Sequence, residues 1–262
     1  MQNYENFSKK INTLFVGKDL RYLPSCQSTN FYALDLVQND DYFDGTVVLT
    51  DCQTAGRGQQ GNTWDTEPFQ NITTSVIFKP QFLNLKEQFE LNIAITLGIY
   101  DLLEVFVPNP DLLKIKWSND LLYDRKKLCG ILIQNIISGN TLSKSVVGVG
   151  LNINQKSFQY PQATSLSLIT GIDYELTILI EKLLINLEKR YLQLKQKKIE
   201  FLRQEYYKRL YGFDEEKWFS KEGKSFVGKI VGVDHLGRLQ IDVLGDLKAY
   251  QFKEIQFLLD KV

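Results

Sequence analysis

One stretch of this chain gathers the residues best suited to holding an anion. It runs from Asp51 to Trp64 and reads Asp-Cys-Gln-Thr-Ala-Gly-Arg-Gly-Gln-Gln-Gly-Asn-Thr-Trp. Gly56, Gly58 and Gly61 let a backbone turn its N–H groups inward on a ligand. Arg57, between two of these glycines, adds a fork of donors shaped for carboxylate or phosphate. Trp64 offers an aromatic face for a base. Such a loop suits a phosphorylated or acylated ligand, although the same residue types also make an ordinary surface loop.

Three further segments carry groups of interest: Lys116-Trp117-Ser118-Asn119-Asp120, Lys127-Leu128-Cys129-Gly130-Ile131-Leu132 and Gly148-Val149-Gly150-Leu151-Asn152. Taken alone, Lys127 is one charge of an exposed Arg125-Lys126-Lys127 turn. Asp120 reads either as part of a self-satisfied Asn-Asp turn or as a carboxylate that orients a lysine or helps hold Mg2+. Gly148 and Gly150 mark either a bulge or the close approach of a ligand. Ser28 and Thr29 stand where a helix cap belongs.

These groups need elements to hold them. The β-branched run Thr46 to Thr50 predicts a strand leading into the glycine loop, and Ser28 to Gln38 a helix with Phe31, Leu34 and Val37 on one face. Thr73 to Phe78 reads as a strand and Lys86 to Phe106 as a helix apolar nearly all round, ended by Pro108 and Pro110. Leu113 to Trp117, Leu128 to Ile137 and Val146 to Ile153 are further β-rich runs, with Lys116 to Asp120 at a strand end entering a turn. From Leu176 a helical stripe runs through Leu179, Leu183, Leu187 and Tyr191, breaks near Gln196 and resumes through Ile199, Leu202 and Tyr206. After Gly212 the texture changes to short β-runs, Ser225 to Val233, Leu239 to Val243 and Leu247 to Phe252, which predict a small barrel. Gly223 to Lys229 resembles a phosphate loop but ends in Ile230 and lacks a strand-to-helix setting, so it reads as hairpin glycines.

Composition narrows the class. Among 262 residues, 44% are apolar and 24% charged, the ordinary globular range, and Lys plus Arg equals Asp plus Glu at 31 each. No global field draws the chain to nucleic acid or an anionic membrane. Three widely spaced cysteines, Cys26, Cys52 and Cys129, form no metal-ligand pairs and fit a reducing compartment. A single histidine, His235, argues against a histidine-based triad or a zinc site. Without a leader pattern or a long apolar run, the expected location is cytoplasmic, with no membrane partner.

Taken together, Ser28-Thr29-Asn30, Gln53 with Ala55-Gly56-Arg57-Gly58, and the Lys116, Lys127 and Gly148 segments resemble the biotin protein ligases in type and order. The resemblance covers Tyr22 to the C-terminus. It implies an α+β fold, with a class II synthetase-like mixed central sheet flanked by helices over residues 1–213 and an SH3-like C-terminal domain over 214–262. The implied activity is ATP-dependent formation of biotinyl-5′-AMP, followed by transfer of biotin to a lysine of a biotin carboxyl carrier protein domain. That domain would belong to acetyl-CoA carboxylase or a related biotin-dependent carboxylase.

By the same resemblance Lys127, Arg57, Lys116 and Asp120 are catalytic. Ser28, Thr29, Asn30, Gln53, Arg57, Gly58, Gln59, Lys127, Gly130, Gly148 and Gly150 bind biotin, and Gly56, Arg57, Trp64, Lys116, Asn119 and Asn152 bind ATP. Mg2+ follows from ATP, with no ligand set assigned. The head before Lys18 is too short for the DNA-binding domain some relatives carry, so no DNA binding is expected; edge strands leave room for a carrier or a weak homodimer.

The chain departs from the family pattern at Gln59, Gln60 and Asn62, where arginines are common, at Ser118, where proline is usual, and at Gln134, often glutamate. In the family this loop retains the adenylate. Its missing charge implies either faster release or a substitute cation, for which Lys79, Arg125 and Lys126 are the candidates. A lipoate-type ligase and a binding module without turnover are the competing readings.

Overall fold

The computed structural model describes residues 7–259. After a short helix α1 (Phe7–Lys10), the chain runs β1 (Leu20–Cys26), α2 (Thr29–Gln38), β2 (Thr46–Gln53), β3 (Ile72–Phe78), α3 (Gln88–Glu104), β4 (Leu113–Lys116), β5 (Asp120–Tyr123), β6 (Lys126–Ser138) and β7 (Thr141–Leu151). Helices α4 (Leu166–Thr170), α5 (Leu176–Lys195) and α6 (Ile199–Arg209) follow. Strands β1 to β7 form one mixed sheet in the order β1-β2-β3-β7-β6-β5-β4. Strands β1 and β2 are parallel, joined by α2 as the crossover, and the other neighbours are antiparallel.

Period-two alternation places the core on both faces of this sheet. Val47, Val76 and Val147 belong to the large core with α3 and α5, whereas their neighbours Val48, Ile77 and Val146 join Ala33, Leu36 and Val37 of α2. Helix α3, buried nearly all round, packs on α5 and α6, and Gly98 lets it approach closely: a Cβ there would lie 3.0 Å from the Asn186 carbonyl oxygen. Along the α2 face, β3 and β7 pass from large residues beneath the helix, Ile77 and Val146, to Ser75, Thr73, Gly148 and Gly150. The missing side chains leave space above the sheet, and the site occupies it.

Five strands, β8 (Glu216–Lys221), β9 (Lys224–Val233), β10 (Leu239–Val243), β11 (Asp246–Tyr250) and β12 (Gln256–Phe257), form a second, antiparallel sheet, consistent with an SH3-like domain. Phe219, Ile230 and Ile241 from it join the large core. Among the bonds that tie it to the body, Trp117 Nε1 donates to the Gly237 carbonyl at 3.0 Å, and Arg203 and the Tyr207 hydroxyl donate to that of Val233 at 2.8 and 3.1 Å.

Several expectations need correction. The buried face of α2 is Ala33, Leu36 and Val37, and Phe31 is exposed, because the helix rests on the sheet through its smallest residue. The turn expected after Lys116 is residues 117–119, and Asp120 lies beyond it, opening β5 opposite Lys116. The helix expected from Lys86 begins as a 3-10 turn, Leu85–Glu87, whose capping box is built by Asn84 and Glu87. Strand β1 escapes the sequence reading because Arg21, Pro24 and Ser25 interrupt its apolar content; its edge position tolerates them. Gly223 is indeed a hairpin glycine, turning the chain between β8 and β9.

Candidate active site

The start of α2 is built unusually. Ser28 holds the N-cap position in extended conformation, yet its hydroxyl caps nothing. The first amide is instead received by Gln53, from the end of β2, whose Oε1 accepts from Thr29 N at 2.9 Å. Ser75 donates to Asn30 Oδ1 at 2.6 Å and its oxygen lies 2.8 Å from Thr29 Oγ1, and Asn30 Nδ2 donates to Gln134 Oε1 at 3.0 Å. A Cβ on Gly148 would lie 2.1 Å from Asn30 Oδ1, so only glycine admits this side chain. The polar groups at this end therefore hold one another in place before any ligand arrives.

Around them lies a cleft of about 50 Å3, lined by Ser28, Thr29, Asn30, Gln53, Arg57, Gly58, Gln59, Trp64, Asn119, Asp120, Lys127, Gly130, Gly148 and Gly150. All eleven residues assigned to biotin are in this wall. Thr73, Thr74, Ile131, Leu132 and Val149 also line it; they carry no motif, but strand periodicity beside the glycines could have found them. Trp64 explains the small volume. Its ring lies on the glycine pair Gly130 and Gly150, which are opposite each other in β6 and β7, and a Cβ on Gly150 would meet the ring at 2.3 Å. The buried Trp64 Nε1 has no hydrogen-bond partner.

Lys127 and Trp64 line a second cavity as well, of about 530 Å3, together with Asn152, Phe158, Tyr160 and Gln162. Here the segment after β7 is pinned to the start of β6: Lys127 N donates to the Gln162 carbonyl at 2.6 Å, and Thr164 N to that of Lys127 at 2.9 Å. Asn152 Nδ2 donates to the Thr164 carbonyl at 3.0 Å, leaving its buried Oδ1 without a partner. Two ligand spaces thus meet at one ammonium. Asp120 holds that ammonium at 2.8 Å, across the β5–β6 pairing.

The remaining assigned residues are placed as follows. Arg57 lies 5.9 Å from the centroid of the Phe31 ring. Gly56 lines a separate space behind the loop, and its amide oxygen accepts from Trp64 N at 3.0 Å. Asn119 reaches the cleft, but its Nδ2 donates to the Ile131 carbonyl and its Oδ1 accepts from Ser118 at 3.0 Å. Lys116 lines neither cavity; its ammonium lies 5.6 Å from the Phe257 ring centroid in the C-terminal sheet. Burial pushes this ammonium below its usual range, against the pull of Asp120 and with the neighbouring Lys127 adding to the shift. The Trp117–Ser118 peptide is cis. Lys79, Arg125 and Lys126 line none of these spaces, and Lys79 sits 4.5 Å from the Tyr42 ring centroid. The Gln60 side chain lies outside the described residues.

Among the described residues no three His, Cys, Asp or Glu side chains are grouped so as to hold a metal ion, and Asp120 is already paired with Lys127. Among the described residues no helix is long and apolar enough to cross a membrane.

The chain is similar to known proteins in sequence and in fold. The chain is 31% identical over 186 residues to the bifunctional ligase/repressor BirA of Bacillus spizizenii, covering 69% of this chain and 56% of that protein. It is 33% identical over 132 residues to the biotin--[acetyl-CoA-carboxylase] ligase of Paracoccus denitrificans, covering 50% and 53%. The chain thus spans about half the length of the curated relatives it matches. Among solved structures, an Aquifex aeolicus biotin protein ligase in complex with biotin and ATP superimposes with a TM-score of 0.75 at 25% identity, covering 92% of this chain and 98% of that one. Residues 22–152, from the first strand through the cleft floor to Asn152, match the biotin/lipoate A/B protein ligase family, and the chain belongs to that family.

Proposed function

We propose that this chain is a biotin protein ligase, which activates biotin with ATP and transfers it to a lysine of a biotin carboxyl carrier protein domain. The observation that carries the reading is the junction at Lys127, a cation shared by a small cleft with a fixed polar end and a larger cavity with an unmet acceptor. Biotin is apolar apart from its ureido and carboxylate ends, which suits the Thr29, Asn30 and Gln53 end of the cleft and the Lys127 end respectively. The purine amino group is a donor for Asn152 Oδ1.

Activation brings a carboxylate against a negatively charged phosphate, so neutralising and aligning two anions is the main task. The biotin carboxylate oxygen bonds to the α-phosphorus while the bond to the bridging oxygen breaks, and pyrophosphate leaves with that electron pair. Lys127 and Arg57 stabilise the charge, and Asp120 keeps Lys127 in position. In the second step the carrier's amine attacks the acyl carbon and AMP departs. Mg2+ enters as a companion of the nucleotide phosphates.

The division between residues 1–213 and 214–262 and a cytoplasmic location belong to the same proposal. The pairing of β5 with β6 stops at Gly130 while β6 runs on to Ser138, giving a strand edge suited to addition by the carrier or, weakly, by a second copy.

The test is pyrophosphate release from ATP by the purified chain, with biotin or lipoate as the acid. Release with biotin alone is expected. Release with lipoate alone makes the protein a lipoate-type ligase, and none with either acid makes it a binding module.

A further inference from the structure

Asp65 stands directly after Trp64 and lines the cavity that holds Asn152 and Lys127, yet none of the roles above uses it. It is half-buried, and its carboxylate meets no donor or cation among the described residues. Among those residues no other carboxylate contributes to this lining, whose remaining charge is the Lys127 ammonium.

The backbone around Asp65 is fastened to the strand end that carries Asn152. Asn71 and Gln155, 5% and 1% exposed, form the fastening. Asn71 Nδ2 donates to Gln155 Oε1 at 2.5 Å and to Thr66 Oγ1 at 3.0 Å, and its Oδ1 accepts from Ile153 N at 2.9 Å. Glu67 N donates to the same Gln155 oxygen at 3.0 Å. The two residues that follow Asp65 are thus tied to the one that follows Asn152, and buried bonds of this kind hold their geometry. The acid and the Asn152 amide therefore face one cavity in a set relation, each with acceptor capacity that the protein leaves open.

A nucleotide brings few donors to such acceptors. ATP is rich in phosphate oxygens, which an acid repels and Lys127 attracts. Its own donors are the purine amino group, matched to Asn152 Oδ1, and the two ribose hydroxyls. The sugar joins base to phosphates, and Asp65 lines a cavity that offers Asn152 to the one and Lys127 to the other. We infer that Asp65 accepts from the ribose hydroxyls and makes the site specific for a ribonucleotide, while its charge turns the phosphates toward Lys127. The inference rests on the ligase reading and deepens it by naming the group that reads the sugar. A bond to a charged acceptor is about twice as strong as a neutral one, and a site built around such a bond rejects the analogue that lacks the hydroxyl.

The experiment measures the KM for ATP, 2′-deoxy-ATP and 3′-deoxy-ATP in biotin-dependent ATP–pyrophosphate exchange. Alongside it, calorimetry gives the affinity of adenosine and its two deoxy analogues for the full chain, unmutated and as Asp65→Ala and Asp65→Asn. The unmutated chain is expected to prefer the ribose form over at least one deoxy form by about tenfold or more, the scale of one charge-assisted bond. In Asp65→Ala the KM for ATP should rise to that of the rejected analogue, with kcat at saturating ATP and biotin affinity held. Asp65→Asn keeps a neutral acceptor in the same shape and should fall between. No preference for ribose in the unmutated chain, or a preference that survives Asp65→Ala, overturns the assignment. So does a loss shared equally by all three nucleotides, which would make the role structural or, if added Mg2+ restores it, that of a metal ligand. Failure of the ligase reading looks different: the unmutated chain then shows no exchange with biotin, while the adenosine series still binds and still discriminates through Asp65. A chain that neither binds that series nor turns over ATP overturns both.

Discussion

At the end of the site proposed for biotin Ser75, Thr29, Asn30, Gln53 and Gln134 bond to one another, whereas at the end proposed for the nucleotide Trp64 Nε1 and Asn152 Oδ1 have no partner. A buried polar group left unmet costs about 1–3 kcal/mol, which a ligand supplying the partner recovers. The first end is preorganised by the protein; the second is completed by what binds there. Biotin should therefore meet a nearly finished pocket once Trp64 moves off the glycine floor, and the nucleotide should order its own.

Lys127→Ala tests the junction between these ends and should have the largest effect, because both reacting anions depend on one ammonium. Adenylation should fall about 10²- to 10³-fold with the melting temperature retained. Near-normal pyrophosphate release from the folded variant would separate the two cavities chemically and sink the comparison.

Asn30→Ala breaks the prebuilt end. It deprives Ser75 and Gln134 of partners together, so biotin affinity by calorimetry should drop about tenfold or more while the KM for ATP holds. Asn152→Ala is the counterpart at the unfinished end: it removes one donor bond, to the Thr164 carbonyl, and an acceptor that bonds nothing in the free protein, so the KM for ATP should rise with a smaller loss of stability than in Asn30→Ala. If thermal stability falls as much in Asn152→Ala as in Asn30→Ala, the two ends are alike.

Arg57→Ala should weaken biotin-dependent adenylation more than Gln60→Ala, because a charged fork stabilises an anion about twice as strongly as a neutral donor. Equal losses would mean the loop acts through its backbone. Smallest of all, Trp64→Phe keeps the ring on Gly130 and Gly150 but removes the orphaned N–H, so biotin binding should change by less than about threefold. If biotin changes the intrinsic fluorescence of the unmutated chain, loss of that change in this variant would assign the movement to Trp64; persistence of the full signal would show that the ring stays put.

The sequence made the cleft more legible than the elements that build it. Ser28 to Asn30, Gln53, Arg57, Lys127 and the glycines of β6 and β7 stand out through their joint resemblance to a family pattern, and the fold brings them into one wall. What stayed hidden depends on tertiary pairing. Gln53 capping a helix that its own strand does not precede, Lys116 placed beside Phe257, and Asn119 spending its amide on Ile131 follow from register across the sheet. Strand β5 was missed because its four residues look like the tail of a turn until β6 pairs with them. Lys79, Arg125 and Lys126, named as substitutes for the absent arginines, line neither the cleft nor the Asn152 cavity, because charge read from the sequence does not say which wall a side chain faces.

The hairpin of β6 and β7 also bears on the order in which the molecule folds. Lys127, Gly130, Gly148 and Gly150 lie within this one local unit, closed by the Gly139–Asn140 turn, whereas β1 must wait for a parallel crossover to reach β2. Local pairings close at lower entropic cost than distant ones. The floor of the site is therefore expected to form early and its polar end late, with amides of β6 and β7 gaining hydrogen-exchange protection during refolding before those of β1. Nascent chains released after Leu151 would already hold the platform on which Trp64 comes to rest.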